Sequence, residues 1–326
     1  MSTPSEKAEI IVLGSGVSGL TTALTLLENG YDVRIIAREH FNDTVSANAA
    51  AVWFPYKALP VEKVVKWSNL SYVKFKELAG IPESGVSIIP FRVIEPSDET
   101  PFWLDALPKE AEMSRHNIKV LGSDFISYSC SIPLIETHIY LPFLHNKFLQ
   151  NGGTIQYQEI KDYKRLAEQN FVINCTGLGS RELCNDKDMY PIHGQTLKIK
   201  STKNTTGLAF EQFPNEPDNE LAYFIPRSDC TILGGSAFKN VESKAIDEDL
   251  TQRIINRCLL LDPELETEHI ISSHVGLRPG RTQIRLEQDH EASVIHNYGH
   301  GGAGFTVSWG CSAEVLTLVQ KFFDNE

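Results

Sequence analysis

Ile10-Ile11-Val12-Leu13-Gly14-Ser15-Gly16-Val17-Ser18-Gly19-Leu20 decides how the rest of the sequence is read. An apolar, largely β-branched run leads into three glycines at G-x-G-x-x-G spacing, and Leu20-Thr21-Thr22-Ala23-Leu24-Thr25-Leu26-Leu27 follows as a helix. In such a strand–turn–helix, Gly14 makes the tight turn, Gly16 lets a pyrophosphate reach the backbone, and Gly19 lets helix and strand pack closely. Val17 and Ser18 open the helix, whose N-terminal N–H groups face the phosphates. Glycines collect in turns for many reasons; it is the place between strand and helix signals that makes this a nucleotide-binding loop.

The second strand, Asp32 to Ala37, closes the first βαβ unit and runs into Arg38-Glu39. Glu39 suits a pair of ribose hydroxyls, whereas Arg38 suits the 2′-phosphate of NADP, so these two residues leave the dinucleotide open. Thr44 to Tyr56 holds small residues in series, among them Ser46, Ala50 and Ala51. Such a run either lets backbone approach a flat ring, with Thr44 and Ser46 donating to phosphate, or is an ordinary turn or helix start. From Pro60 to Gly80, Val61, Val64, Val65, Leu70, Val73 and Leu78 keep the spacing of a packing helix. Short apolar runs between Val86 and Tyr128 predict strands of a second domain, with Phe102 and Trp103 in its core. Thr137 is read as the N-cap of a helix over His138–Gln150, with Pro142 near its first turn and Gly152-Gly153 as its stop. Phe171 to Asn174 is a strand ending in Cys175-Thr176-Gly177-Leu178-Gly179, at the edge where open α/β sheets bind ligands, although a plain strand-turn has the same pattern. A hairpin around Ser228-Asp229, a helix over Asp247–Leu261 and a final helix from about Thr306 to Phe323 complete the reading.

The 326 residues suffice for two cores. A net charge of −12 argues against nucleic acid, which needs clustered Lys and Arg. No apolar run approaches the ~20 residues of a membrane span. The polar start, Ser2 to Glu9, does not read as a signal peptide, and Asp324-Asn325-Glu326 is not a peroxisomal tripeptide, so the expected location is cytoplasmic. Six cysteines without C-x-x-C or zinc-like spacing read as reduced, mostly buried thiols, and no metal is expected.

Taken in order, several blocks resemble the D-amino-acid oxidase family of flavoproteins. They are Gly14 to Gly19, Ala49-Ala50-Ala51-Val52-Trp53-Phe54-Pro55-Tyr56, Val172 to Gly177, Tyr223-Phe224-Ile225-Pro226, Gly276-Leu277-Arg278-Pro279 and His296-Asn297-Tyr298-Gly299-His300-Gly301-Gly302. The resemblance spans nearly the whole chain and implies FAD in place of NADP. It implies an α/β architecture: a Rossmann-type FAD-binding domain (residues 1–56, 133–190 and 279–326) interleaved with a mixed-sheet α+β substrate domain (57–132 and 191–278). It also implies oxidation of a D-amino acid by hydride transfer from Cα to flavin N5, with oxygen as acceptor and a 2-oxo acid, ammonia and hydrogen peroxide as products. Arg278 would then hold the substrate carboxylate in a planar fork, with Tyr223 beside it. Gly301, Gly302, Gly304, Phe305 and Thr306 would bring helix N–H groups to the flavin, where a partial positive charge suits the reduced ring.

The sequence departs from the family at two points. Mammalian members carry a second tyrosine on a lid just before the segment that here begins at Tyr223, but residues 205–222 contain no tyrosine, only Phe210 and Phe213, which puts lid gating in doubt. Many relatives have Arg where His193 stands, so His193 is expected near the site without touching substrate, while His296, His300, Arg281 and Arg285 are expected to be structural. Other readings remain: a D-aspartate oxidase using Lys57, Arg227 or His193 as a second cation, a dehydrogenase passing electrons elsewhere, an NAD(P) enzyme, or a non-catalytic flavin module. A homodimer is compatible with the sequence.

Overall fold

Two sheets divide the strands between them in this computed structural model, which describes residues 9–96, 100–201, 204–213 and 219–324. In chain order the strands are β1 (Ile10–Leu13), β2 (Val33–Ala37), β3 (Val86–Pro96), β4 (Met113–Val120), β5 (Ser123–Ile135), β6 (Thr154–Tyr157), β7 (Phe171–Asn174), β8 (Tyr190–Lys200), β9 (Gly207–Phe210), β10 (Glu220–Pro226), β11 (Cys230–Ser236), β12 (Phe238–Lys239), β13 (Ile270–Gly280), β14 (Arg285–Gln288) and β15 (Val294–Tyr298). The α-helices are α1 (Val17–Glu28), α2 (Val61–Leu78), α3 (Thr137–Gln150), α4 (Tyr163–Ala167), α5 (Ser180–Leu183), α6 (Glu248–Leu261) and α7 (Gly304–Asp324).

The first sheet has the order β14-β15-β7-β1-β2-β6, parallel except for β14. A parallel strand covered on both faces must be apolar throughout, which is why Ile10 to Leu13 shows no polar alternation. Ile11 and Leu13 pack with Tyr163 of α4 on one face, and Ile10 and Val12 join Leu20, Leu24 and Val315 on the other. The strand order turns at β1, with β2 on one side and β7 on the other, so the carboxyl ends of β1 and β7 open a crevice. The second sheet runs β12-β8-β11-β10-β9-β3-β5-β4, with β13 added along β8. It is covered by α6, whose Leu250, Ile254 and Cys258 pack on Leu197, Phe224 and Leu233.

Most predicted elements lie where the spacing puts them, with local corrections. Thr137 is the first residue of α3 and not its cap; Glu136 holds that position, and the Thr137 hydroxyl donates to Ala47 O at 2.8 Å. The last helix begins at Gly304, before the expected Thr306. Asp247 caps α6 by accepting from Leu250 N at 2.9 Å. All six cysteines are free, and five of them are buried. Among the described residues no helix is long and apolar enough to cross a membrane. The expectations for the first eight residues and the last two lie outside the described residues.

Candidate active site

A cavity of about 910 Å³ runs from the crevice of the first sheet to the face of the second. At its first end the chain turns at Gly14 with φ +107°, where a Cβ would stand 2.6 Å from Cys175 O. Only glycine fits that turn. Gly16, Val17 and Ser18 line the cavity at the start of α1. Gly19 does not face it: a Cβ there would meet Gly14 O at 1.9 Å, so Gly19 is what lets the helix sit against the turn. Ser46 Oγ accepts from Val17 N at 3.0 Å, one of the helix-start donors that has no partner within the helix. Thr44, Ala50 and Ala51 line the same stretch, Ala51 with a positive φ of 52°. Arg38 and Glu39 line the far end and pair with each other at 2.6 Å. The carboxylate therefore already engages the guanidinium that argued for a 2′-phosphate.

Opposite α1, Thr176 and Gly177 line the wall beyond β7. The Thr176 hydroxyl bonds Asn174 Oδ1 and Ser180 Oγ, both at 2.8 Å. Gly301, Gly302, Gly304 and Phe305 bring the N-terminus of α7 to the cavity. A Cβ on Gly302 would come within 2.7 Å of the Tyr56 ring. Thr306 is not brought to the cavity; its hydroxyl is buried against Phe54, accepting from Phe54 N at 3.0 Å and donating to Phe54 O at 2.9 Å. His300 reaches from the α7 side to Asn297 Oδ1 at 3.0 Å and to Ser18 Oγ at 3.4 Å, and burial pushes its imidazole down to about 4.

The other end is built on the second sheet. Arg278 of β13 donates from Nη1 to Ser236 O at 2.8 Å and lies flat over Gly194 of β8, where a Cβ would meet the guanidinium at 2.3 Å. Tyr223 of β10 stands opposite Gly234 of β11, and a Cβ there would touch the phenol ring at 2.1 Å. Burial raises the Tyr223 phenol pKa and the nearby Arg278 charge opposes it, leaving it raised. Tyr223 is therefore a neutral phenol beside a fixed cation. Tyr56 adds a buried hydroxyl with no hydrogen-bond partner among the described residues. Glu211 lines the cavity close by.

Gly194 and Gly234 seat the Arg278 and Tyr223 side chains, and the sequence reading did not single them out. Glycine inside a strand marks a close approach and was the available signal. Tyr56 and Glu211 were also missed. His193 is buried outside the cavity lining, beside Gly194, with Nδ1 unpartnered among the described residues. Arg281 and Asp186 pair at 3.0 Å, Arg285 donates to Tyr298 Oη at 2.7 Å, and neither arginine lines the cavity. Lys57 and Arg227 do not line the cavity. Arg227 instead donates to Ala49 O and Ala50 O at 2.8 and 2.7 Å, pinning the small-residue run. Of the stretch in which the missing lid tyrosine was noted, residues 214–218 lie outside the described residues.

The donor set fits a dinucleotide carrying a flat ring. Two helix N-termini, at Val17 and Gly304, point positive ends at the cavity. Between them Ala49, Ala50, Ala51, Gly301 and Gly302 leave room for a planar group.

Comparison with known proteins gives one consistent match. The family described as FAD dependent oxidoreductase (DAO) matches residues 9–318. A D-amino-acid oxidase of Rubrobacter xylanophilus is 34% identical over 321 residues, covering 95% of each chain. One of Streptomyces coelicolor is 35% identical over 316 residues, covering 95% of this chain and 96% of the relative. Among solved structures, glycine oxidase from Geobacillus kaustophilus superposes with a TM-score of 0.79 at 14% identity, over 97% of this chain and 95% of that one.

Proposed function

Since the chain belongs to the FAD dependent oxidoreductase (DAO) family and is an FAD-dependent amino-acid oxidoreductase, we propose that it converts D-amino acids to 2-oxo acids, ammonia and hydrogen peroxide. The observation that carries this reading is the Arg278–Tyr223 pair, seated on Gly194 and Gly234 at the end of a cavity shaped for a dinucleotide. A charged fork beside a neutral phenol binds a carboxylate through several hydrogen bonds at once.

The chemistry that FAD supplies when bound is acceptance of the hydrogen and electron pair from Cα and their transfer to oxygen. Gly14, Gly16, Val17 and Ser18 would hold its pyrophosphate, Glu39 its ribose, and Thr44, Ser46, Ala50, Ala51, Thr176 and Gly177 its middle. Gly301, Gly302, Gly304 and Phe305 would present the α7 N-terminus to the ring, where its positive end favours the reduced anion. On this reading residues 1–56, 133–190 and 279–326 carry the cofactor, and the remainder carries the substrate. Arg278 fixes the carboxylate and Tyr223 shares it, so the substrate enters in one orientation. That positioning, together with exclusion of water, is what the protein's own side chains contribute. An amine that enters neutral needs no side-chain base.

Arg278→Ala tests the reading. Removing one partner of a desolvated pair costs on the order of 2–5 kcal/mol. At ~1.4 kcal/mol per decade, kcat/KM should fall roughly 30- to 4000-fold. Arg278→Lys should recover part of that loss, since an ammonium lacks the fork. FAD content should stay near wild type. The wild-type preference for a D-amino acid over benzylamine, which lacks the carboxylate, should collapse in Arg278→Ala. A surviving preference would mean that another cation holds the acid.

A further inference from the structure

The substrate end of the cavity carries a carboxylate for which the reaction has no use. Glu211 directly follows Phe210, the last residue of β9. Ala209 stands opposite Tyr223 in the β9–β10 ladder. Residues two apart on a strand share a face, and Ala209, Glu211 and Tyr223 all line the cavity. On the other side β3 runs parallel to β9 with Val93 opposite Ala209, which brings Glu95 level with Glu211. Lys57 reaches the pair from the outside. Its Nζ is 3.9 Å from Glu211 Oε2, and its side chain is half exposed while that of Glu211 is 14% exposed. Glu95 also accepts from Trp103 Nε1 at 2.8 Å. Among the described residues, Glu211 accepts no hydrogen bond.

Among the described residues, the charges facing Glu211 are Lys57 and Glu95, with Tyr56, Tyr223 and Arg278 lying toward the substrate. The Tyr56 hydroxyl lies between the two ends of this array: burial raises its pKa most, Glu211 raises it further and Arg278 lowers it. Two carboxylates share one lysine, so among the described residues the acids here outnumber the cation beside them in an enclosed space, and ionising both is costly. Burial pushes the Glu211 carboxyl up to about 8, with Lys57 pulling it down and Glu95 pushing it up. A buried carboxylate left this way is costly, and a cation brought to it removes the cost. An acidic side chain would meet repulsion there, and an apolar one would leave the charge unmatched.

We propose that Glu211 selects D-amino acids whose side chain ends in a cation, with the substrate carboxylate on Arg278 and the terminal ammonium or guanidinium at Glu211. This rests on the proposed function, and the geometry extends it to a substrate class: basic D-amino acids of the lysine and arginine kind.

The test uses FAD-loaded wild type, Glu211→Gln and Glu211→Leu. Hexanoate and 6-aminohexanoate share a carboxylate and a chain, lack the α-amine and so are not oxidised. Their dissociation constants can be read from the perturbation of the flavin spectrum. Wild type should bind 6-aminohexanoate roughly tenfold or more tightly than hexanoate, as expected for a close, partly desolvated charge pair. That advantage should grow from pH 6 to pH 9 as Glu211 ionises, and hexanoate alone should not follow the same curve. In both variants the advantage should vanish, and kcat/KM for D-lysine should fall below that for D-norleucine. Equal wild-type affinities, or an advantage kept in Glu211→Gln, would overturn the assignment. If Glu211→Leu fails to hold flavin, the isosteric Gln variant decides. D-alanine separates the two levels: flavin bleached by D-alanine without preference for D-lysine sinks this inference alone, whereas no bleaching by any D-amino acid sinks the proposed function.

Discussion

His300 keeps a neutral imidazole inside the wall of the cavity. Asn297 donates from Nδ2 to Thr22 Oγ1 at 3.1 Å, so its Oδ1 is the acceptor for His300 Nε2–H and Nδ1 is left to face Ser18 Oγ. The folded imidazole titrates near 4, below the ordinary value of 6.5. Between those values the unfolded chain takes up the proton and the folded one does not, so stability complete above pH 6.5 drains as the pH falls toward 4. His300→Gln cannot titrate. The fall in Tm between pH 7 and pH 4.5 should be smaller in that variant than in wild type, as followed by circular dichroism; equal falls would contradict it. At this scale the sequence was legible where a motif fixed a residue, as for Gly14, Tyr223 and Arg278. It was silent where partners come from distant strands. Glu211 is an acid after a short strand until Glu95 and Tyr223 are set beside it, and nothing in its neighbours announces them.

Elements meet at two crossings that leave no room for a side chain. At the β1–α1 turn, Gly14→Val would force a branched residue into a positive φ and against Cys175 O. Its expected effect is weaker FAD binding, seen by titrating apoprotein with FAD, with catalysis by the loaded fraction less affected; unchanged affinity would remove this loop from the cofactor site. Where α7 crosses α2, a Cβ on Gly310 would stand 2.2 Å from Trp67 O, and Gly310 N donates to Ser71 Oγ at 3.0 Å. Gly310→Ala should destabilise by about 1–3 kcal/mol through overpacking, read from denaturant unfolding, and an unchanged midpoint would contradict the crossing. Helix periodicity located α2, but Val61, Leu70 and Val73, read as part of its packing pattern, are exposed, and the buried stripe runs through Val64, Trp67, Ser71, Phe75 and Leu78; α7 is instead buried all round from Phe305 to Ser312. The start of α3 was misplaced because Thr137 has the chemistry of a cap, yet its hydroxyl is engaged by Ala47 O, and the Glu136 carboxylate beside it accepts from Ser228.

Across the whole molecule the cavity belongs to both sheets: the first supplies the crevice at the ends of β1 and β7, the second the face carrying Tyr223 and Arg278. The βαβ start was legible because its pairings are local. The second sheet was legible only as a set of strands, since its ladders join Phe91 to Gly207 and Gly194 to Gly276 across long stretches of chain. Periodicity carries no record of such partners, and the order of family motifs supplied the arrangement. The proposed function puts FAD in this cavity and the oxidation of D-amino acids by oxygen at its substrate end. Its most direct test is the absorption spectrum of the purified, FAD-loaded protein, mixed anaerobically with D-alanine or D-lysine and then exposed to air. The visible flavin band should bleach with the D-isomers and not with L-alanine or L-lysine, and air should restore it with formation of hydrogen peroxide. Protein that retains no flavin, or a flavin band bleached by the L-isomers and left unchanged by the D-isomers, would contradict the proposed function.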